Sequence, residues 1–245
     1  MKTVQYIYEN GEHKWAIIAR DPARPEYIID TNEYLVINHD NAMLLDPGGQ
    51  QVFPAVFSAI SQHYDPGNIK VLFASHQDPD IISSLDLWLE VNPAAKCYLS
   101  WLWASFVPHF GGSDETFIKV PDEGMDIDFY GLNLAAVPAH YLHSSGNFHL
   151  YDKKAKILFT GDVGAALGTL DQNSLYVEDF IRHIKFAEGF HRRWMGSNEA
   201  KQDWCERVSN MDIDMLCPQH GAIYRGDDVS RFINWFADLK VGIAA

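Results

Sequence analysis

Four times along this chain an apolar run that reads as a β-strand stops at residues with metal-ligand chemistry. "IKVLFAS" leads into His76-Gln77-Asp78-Pro79-Asp80, "LNLAAVPA" runs towards His143, "KILFTG" ends on Asp162, and "DMLCPQ" ends on His220. Strand ends held by a rigid scaffold can bring distant residues to one edge of a sandwich, while the loops around them vary. The architecture must therefore align several strands with their ends together.

The rest of the chain reads accordingly. "VQYIYENGEHKWAIIA" predicts a hairpin turning at "ENGE", and "EYLVIN" with "AMLL" a second one. "VFPAVFSAISQHY" has helical spacing, with Val56, Ile60 and His63 on a face with Phe57. "IISSLDLWLEVN" predicts a helix with Ile82, Leu85 and Leu89 inward, and "KCYLS" a short strand. In the second half, "LNLAAVPA", "GNFHLYD" and "KILFTGD" predict three strands, and a long helical region runs from Ser174 to about Arg193. Ser197 is positioned to cap a further helix carrying Ala200, Trp204 and Val208 on one face. A strand "DMLCP" and a last helix "DVSRFINWFADLK" complete the chain. This order, strands and then mixed strand and helix, twice over, predicts two packed sheets with helices outside.

Charge gives the strand ends their meaning. Asp78, Asp80 and Asp162 crowded together would repel one another, so protons or a cation must be present. Two divalent ions would set +4 against three negative charges. Three carboxylates with His76, His143 and His220 make six ligands, enough for two metals if one carboxylate bridges. Taken singly each piece is ordinary: Asp-Pro-Asp is a common turn and helix cap, and "TGD" or "HG" after a strand is weak. The joint occurrence in this order carries the signal. Oxygen-rich carboxylate–imidazole sites suit iron or manganese, whereas structural zinc favours thiolate and histidine; ligand type alone leaves manganese and zinc open.

Composition bounds the class. The 245 residues suit one large α/β or β-rich domain, and with 47% apolar residues a sizeable core is available. Thirty-three acids against nineteen bases give a formal charge of −14, which disfavours nucleic acid and anionic membrane as partners. No run approaches the ~20 apolar residues of a membrane span, and the N-terminus has no signal-peptide core. Three cysteines without a CxxC read as buried free thiols in a reducing, cytoplasmic setting.

The ordered set H-x-D-x-D, H, GD and HG resembles the metal motifs of the metallo-β-lactamase superfamily, and most closely its di-iron branch of flavodiiron catalytic domains and stand-alone oxygen-binding proteins. The steps of 63 residues from Asp80 to His143, 19 to Asp162 and 58 to His220 are similar to that branch. So are "EYLVINHDNAMLLDPGG", with Asp46 at the superfamily's structural aspartate, and "EGFHRRWMGSNEA". The resemblance covers essentially the whole chain. It implies one domain over 1–245 with an α/β (α+β) metallo-β-lactamase-like αββα four-layer sandwich. It further implies that His76, Asp78 and His143 hold one iron, Asp80 and His220 the other, and Asp162 both, with bridging oxygen species completing each shell. Two departures stand out. The di-iron branch usually has glutamate at the position of Asp78, one methylene longer. The zinc hydrolases have histidine where Asp78 and Ile81 stand, and Ile81 cannot bind a metal, so the second ion keeps an open position.

By this resemblance the expected function is O₂ binding by two ferrous ions as a diferric peroxide, in an oxygen sensor coupled to signalling such as chemotaxis. No FMN is expected, since no flavin phosphate loop is visible; a homodimer and a signalling partner protein are. Reduction of O₂ or NO with an external electron donor is the first alternative, and a dinuclear metallohydrolase the second. Around the site, His140 is the rival ligand to His143 but breaks the spacing, and His149 alternates within a strand. Gln77, Asn147 and Tyr224 are near enough in sequence to orient ligands. Trp101 and Trp103 read as packing, His191-Arg192-Arg193 as a solvated basic helix face, and Cys217 as core.

Overall fold

The chain opens with two hairpins. Val4–Asn10 (β1) and His13–Ile18 (β2) pair antiparallel across Gly11, whose φ of 62° lies in the left-handed region that glycine enters freely. Glu33–Asn38 (β3) and Asn41–Leu45 (β4) form the second hairpin. Pairing then becomes parallel, which requires crossovers. Phe53–Ser61 (α1) crosses to Ile69–Phe73 (β5), and Pro79–Ile82 (α2) with Leu85–Val91 (α3) crosses to Lys96–Ser100 (β6). Phe117–Val120 (β7) closes a sheet of order β1-β2-β3-β4-β5-β6-β7.

The second sheet starts with the meander Met125–Phe129 (β8), Leu132–Pro138 (β9), Phe148–Asp152 (β10) and Ile157–Gly161 (β11). Phe180–Trp194 (α4) and Asn198–Ser209 (α5) cross to Met215–Pro218 (β12), parallel to β11, and Tyr224–Arg225 (β13) adds the edge before Asp227–Asp238 (α6). This computed structural model describes residues 2–21, 24–25, 27–168 and 174–244. No helix among them is long and apolar enough to cross a membrane.

Three apolar clusters define four layers. Trp15, Val36, Leu45 and Phe73 of the first sheet meet Phe148, Leu150, Ile157 and Phe159 of the second. Ala16, Leu35, Leu44 and Leu72, on the other face of the first sheet, meet Val56, Ile82, Leu85 and Trp88 of α1–α3. Leu158 and Leu216 meet Phe180, Trp204, Phe232 and Phe236 of α4–α6. The alternation of neighbouring strand residues between faces separates the clusters. The αββα sandwich expected from the sequence is the observed fold.

Several local readings are corrected. The stretch 81–92 is two helices, because Ser84 leaves the helical ladder: its one hydroxyl proton is shared between the carbonyls of Gly48 and Pro47, and its N–H donates to Gly48 O. Ile82 and Leu85 are buried as expected, but Trp88, with its indole N–H on Pro47 O, is buried where Leu89 is only half-buried. α1 stops at Ser61, leaving His63 exposed. Residues before α4 are extended: Tyr176 bridges Ile223, and Asp179 caps the helix by accepting from Arg182 N–H. β7 and β8 are additional strands; in "MDIDF" Ile127 and Phe129 face inward while Asp126 and Asp128 are exposed.

Candidate metal centre

The site begins in the turn after β5. Asp46, fully buried after β4, accepts from the Ser75 N–H and the Ser75 hydroxyl, both at 2.7 Å. With Asp46 ionised, the hydroxyl gives its one proton to that carboxylate and accepts from His76 Nδ1 at 2.9 Å. That fixes the imidazole proton on Nδ1 and leaves the Nε2 lone pair facing inward. His220 is set in the same way from another part of the chain. Its Nδ1 lies 2.6 Å from the Asp30 carbonyl, which can only accept, so Nε2 is again free to bind.

Around these two rings the four strand ends converge. His76, Asp78, His143 and Asp162 each offer a ligand atom within 4.8 Å of the others. Asp162 Oδ2 lies 2.9 Å from His143 Nε2 and 3.8 Å from His76 Nε2, and Asp78 Oδ2 lies 3.4 and 3.7 Å from the same two nitrogens. The other oxygen of Asp162 turns to a second group: Oδ1 is 3.3 Å from His220 Nε2, which is 3.3 Å from Asp80 Oδ2. One carboxylate thus faces two clusters, one oxygen to each.

Electrostatics and unmet bonding both fit a pair of divalent ions. Burial would raise the Asp162 pKa, yet His143 and His220 hold it well below the ordinary carboxylate range. Burial would lower His76, yet Asp78 and Asp162 push it up to about 9. The carboxylates therefore demand positive charge at the points the Nε2 atoms face. Among the described residues, His76 Nε2 and Asp162 Oδ1 are buried without a hydrogen-bond partner. A cation between imidazole and carboxylate satisfies both, where a water could not supply the charge. The donor set of three carboxylates and three imidazoles suits iron.

The site opens into a cavity of about 530 Å³. Its floor is polar, and its wall includes Ile29, Leu167, Phe190 and Trp194. Trp194 stacks on Phe190 and meets the His143 ring edge-on at 5.3 Å between centroids. Ile81 is fully buried in the core beside the first sheet and does not line the cavity.

All six sequence candidates are brought together. His140 is not among them: its Nε2 lies 2.8 Å from the Asp122 carbonyl and its ring packs on Phe148. His149 is fully buried against Trp204, and burial lowers its pKa to about 3. Gln77 holds Asp78, donating to its Oδ1 at 3.1 Å while accepting from Ser144. Asn147 braces the His143 loop through the Leu142 carbonyl, whereas Tyr224 donates to Gly164 O. Trp101 is half-exposed on Asp122, and Trp103 donates to Ser144. Of the basic triplet, Arg192 and Arg193 are exposed as expected, with Arg192 paired to Glu188, but His191 is fully buried, accepts from Gly164 N–H at Nε2 and donates from Nδ1 to Ala187 O. Cys97, Cys205 and Cys217 are buried free thiols. Sequence reading missed Ser75, Asp30, Asn32, Gln219 and Trp194; Ser75 and Gln219 each immediately precede a ligand-type histidine, which is the one signal that marks them.

Fold and site together define a metallo-β-lactamase-fold protein with a carboxylate–imidazole centre of dinuclear size. The model of a family described as ODP family beta lactamase matches residues 29–221, and the chain belongs to that family. It is 38% identical to the chemotaxis sensor ODP solved as a peroxy diiron species, covering 98% of this chain and 96% of that one at a TM-score of 0.87. Against the apo state of the chemotaxis sensor ODP from T. denticola the identity is 40%, covering 98% and 95%, with a TM-score of 0.88. A point mutant of the flavo di-iron protein from Thermotoga maritima shares the fold at 20% identity and a TM-score of 0.82, covering 97% of this chain and 61% of that chain. An uncharacterized protein of Methanocaldococcus jannaschii is 25% identical over 241 residues, which are 94% of this chain. The match spans 58% of that curated relative's length.

Proposed function

We propose that this chain is a dinuclear non-haem iron protein that binds O₂ and reports its presence to a signalling partner, as in chemotaxis. The observation that carries the metal reading is the split of Asp162, whose two oxygens face two separate ligand groups. His76, Asp78 and His143 would hold one ion, Asp80 and His220 the other, and Asp162 both. Two ferrous ions together would supply two electrons to O₂, which redox-inert zinc cannot. The residues do the rest. Ser75 and the Asp30 carbonyl keep the Nε2 lone pairs of His76 and His220 turned inward. Ile81 withholds a ligand, and the apolar wall of Ile29, Leu167, Phe190 and Trp194 favours a neutral diatomic over a hydrated anion. The sensing role is supported by 38% identity over nearly the full length of a chemotaxis sensor. A homodimer and a cytoplasmic location belong to the same reading.

The test is anaerobic loading with ferrous iron, a count of iron per chain, and then admission of air while the visible spectrum and dissolved O₂ are followed. Two irons and a new, slowly decaying band without continuing O₂ consumption are expected. Steady O₂ or NO consumption with an added reductant would establish a reductase instead. Two retained zinc ions, no spectral change and hydrolysis of an ester or lactone would establish a hydrolase.

A further inference from the structure

His220 and Asp80 are the half of the site with fewer side chains, and the fold gives them a dedicated brace. α2, which carries Asp80, is a single turn of four residues, so its own hydrogen bonds hold it weakly. The Asp80 side chain is 38% exposed. What ties this turn to the opposite sheet is Gln219, fully buried and adjacent to His220 in the chain, whose amide donates to the Asp80 carbonyl at 3.0 Å. One side chain beside one ligand therefore grips the backbone of the other.

Gln219 is itself clamped. Its N–H donates to Gly161 O at 2.8 Å, next to Asp162, and its carbonyl accepts from Asn32 N–H at 2.7 Å. The buried Asn32 amide donates to Pro218 O and Gly221 O, so it bridges both sides of the Gln219-His220 pair. The segment that carries Asn32 also carries the Asp30 carbonyl on His220 and is anchored by Lys2, whose buried ammonium lies 2.6 Å from both Thr31 O and Glu33 Oε2. The amide oxygens of Gln219 and Asn32 are buried and unpartnered among the described residues. An apolar side chain would avoid that penalty, so packing alone does not explain two amides here.

We infer that Gln219, clamped by Asn32, is the positioning residue that sets the distance between His220 and Asp80 and so governs occupancy of the second metal position independently of the first. This rests on the ligand assignment proposed above. Among the described residues, the Gln219 side chain makes no hydrogen bond to His76, Asp78 or His143; its amide N–H goes to Asp80 O.

The experiment is anaerobic titration of the full chain with Mn(II), read by equilibrium dialysis and by electron paramagnetic resonance, for the unmodified protein, Gln219→Met, Gln219→Asn and Tyr34→Phe. Met keeps the volume without the donor, and Asn keeps the amide one methylene short of Asp80. Tyr34→Phe removes a different bond to the same strand end, the one to Pro218 O. In both Gln219 variants the first ion should bind as before. The second should bind ten- to a hundredfold more weakly, with the spin-coupled signal giving way to that of an isolated ion. Tyr34→Phe should keep the coupled pair. Two ions bound normally in both Gln219 variants, equal weakening of both positions, or the same loss in Tyr34→Phe would overturn the inference. If the unmodified chain failed to bind two ions, the ligand assignment itself would fall.

Discussion

Asp162→Asn is the sharpest perturbation of the site. The side chain keeps its shape and its buried position, but it loses one negative charge and half its capacity to accept. The amide keeps one oxygen for one ion, so either the first ion falls from four protein ligands (His76, Asp78, His143 and Asp162) to three or the second falls from three (Asp80, His220 and Asp162) to two. Removing a unit charge about 4 Å from another costs ~4 kcal/mol at an effective dielectric constant near 20. At about 1.4 kcal/mol per factor of ten, that is roughly a thousandfold loss of affinity. The loss should be greatest at the second position, which keeps only Asp80 and His220, against Asp78 and two histidines at the first. Anaerobic dialysis against graded ferrous iron should then give one tight iron or none, against two for the unmodified chain, with the variant's metal-free fold intact by circular dichroism. Two irons retained at unchanged affinity in Asp162→Asn would refute the bridging role and the charge argument with it.

Other expectations follow from single contacts. Ser75→Ala removes the hydroxyl between Asp46 and His76, so affinity at the first position should fall ten- to a hundredfold in a chelator competition; unchanged affinity would mean that His76 is oriented by packing alone. His149→Leu removes a buried imidazole whose two nitrogens have no hydrogen-bond partner among the described residues, so two-metal loading should persist and the melting temperature should hold or rise. A lost metal would place His149 in the site after all. Burial would raise the Asp152 pKa, but His13, the Ala155 N–H and the Trp15 indole hold it down. A depressed carboxylate stabilises the fold above its unfolded pKa, and that contribution is lost as pH falls through the folded value. Urea denaturation should therefore show stability falling below the ordinary carboxylate range, and Asp152→Asn should flatten that acid limb; parallel pH profiles for the two proteins would contradict it.

The parts of this molecule that sequence made legible are those where chemistry changes abruptly along the chain. Apolar β5, β11 and β12 stop at His76, Asp162 and His220, and such a boundary needs no tertiary knowledge to see. His140 and His143 were separable by spacing, and the structure sends His140 to the Asp122 carbonyl. What stayed hidden depends on backbone partners that sequence does not name. Ser84 breaks a helix because the Pro47 and Gly48 carbonyls lie opposite it, 37 and 36 residues away. Tyr176 is extended because Ile223 offers an edge to pair with. His191 looked solvated beside two arginines, yet its ring is the acceptor for Gly164 N–H two residues past Asp162. The brace from Asp30, Asn32 and Gln219 is invisible for the same reason: it joins residues nearly 190 positions apart through carbonyls.

The most direct test of the central claim is anomalous diffraction at the iron edge from crystals loaded without oxygen. Two peaks should flank Asp162, one among His76, Asp78 and His143 and the other beside Asp80 and His220. A single peak, or a pair of which neither lies against Asp162, would contradict the account.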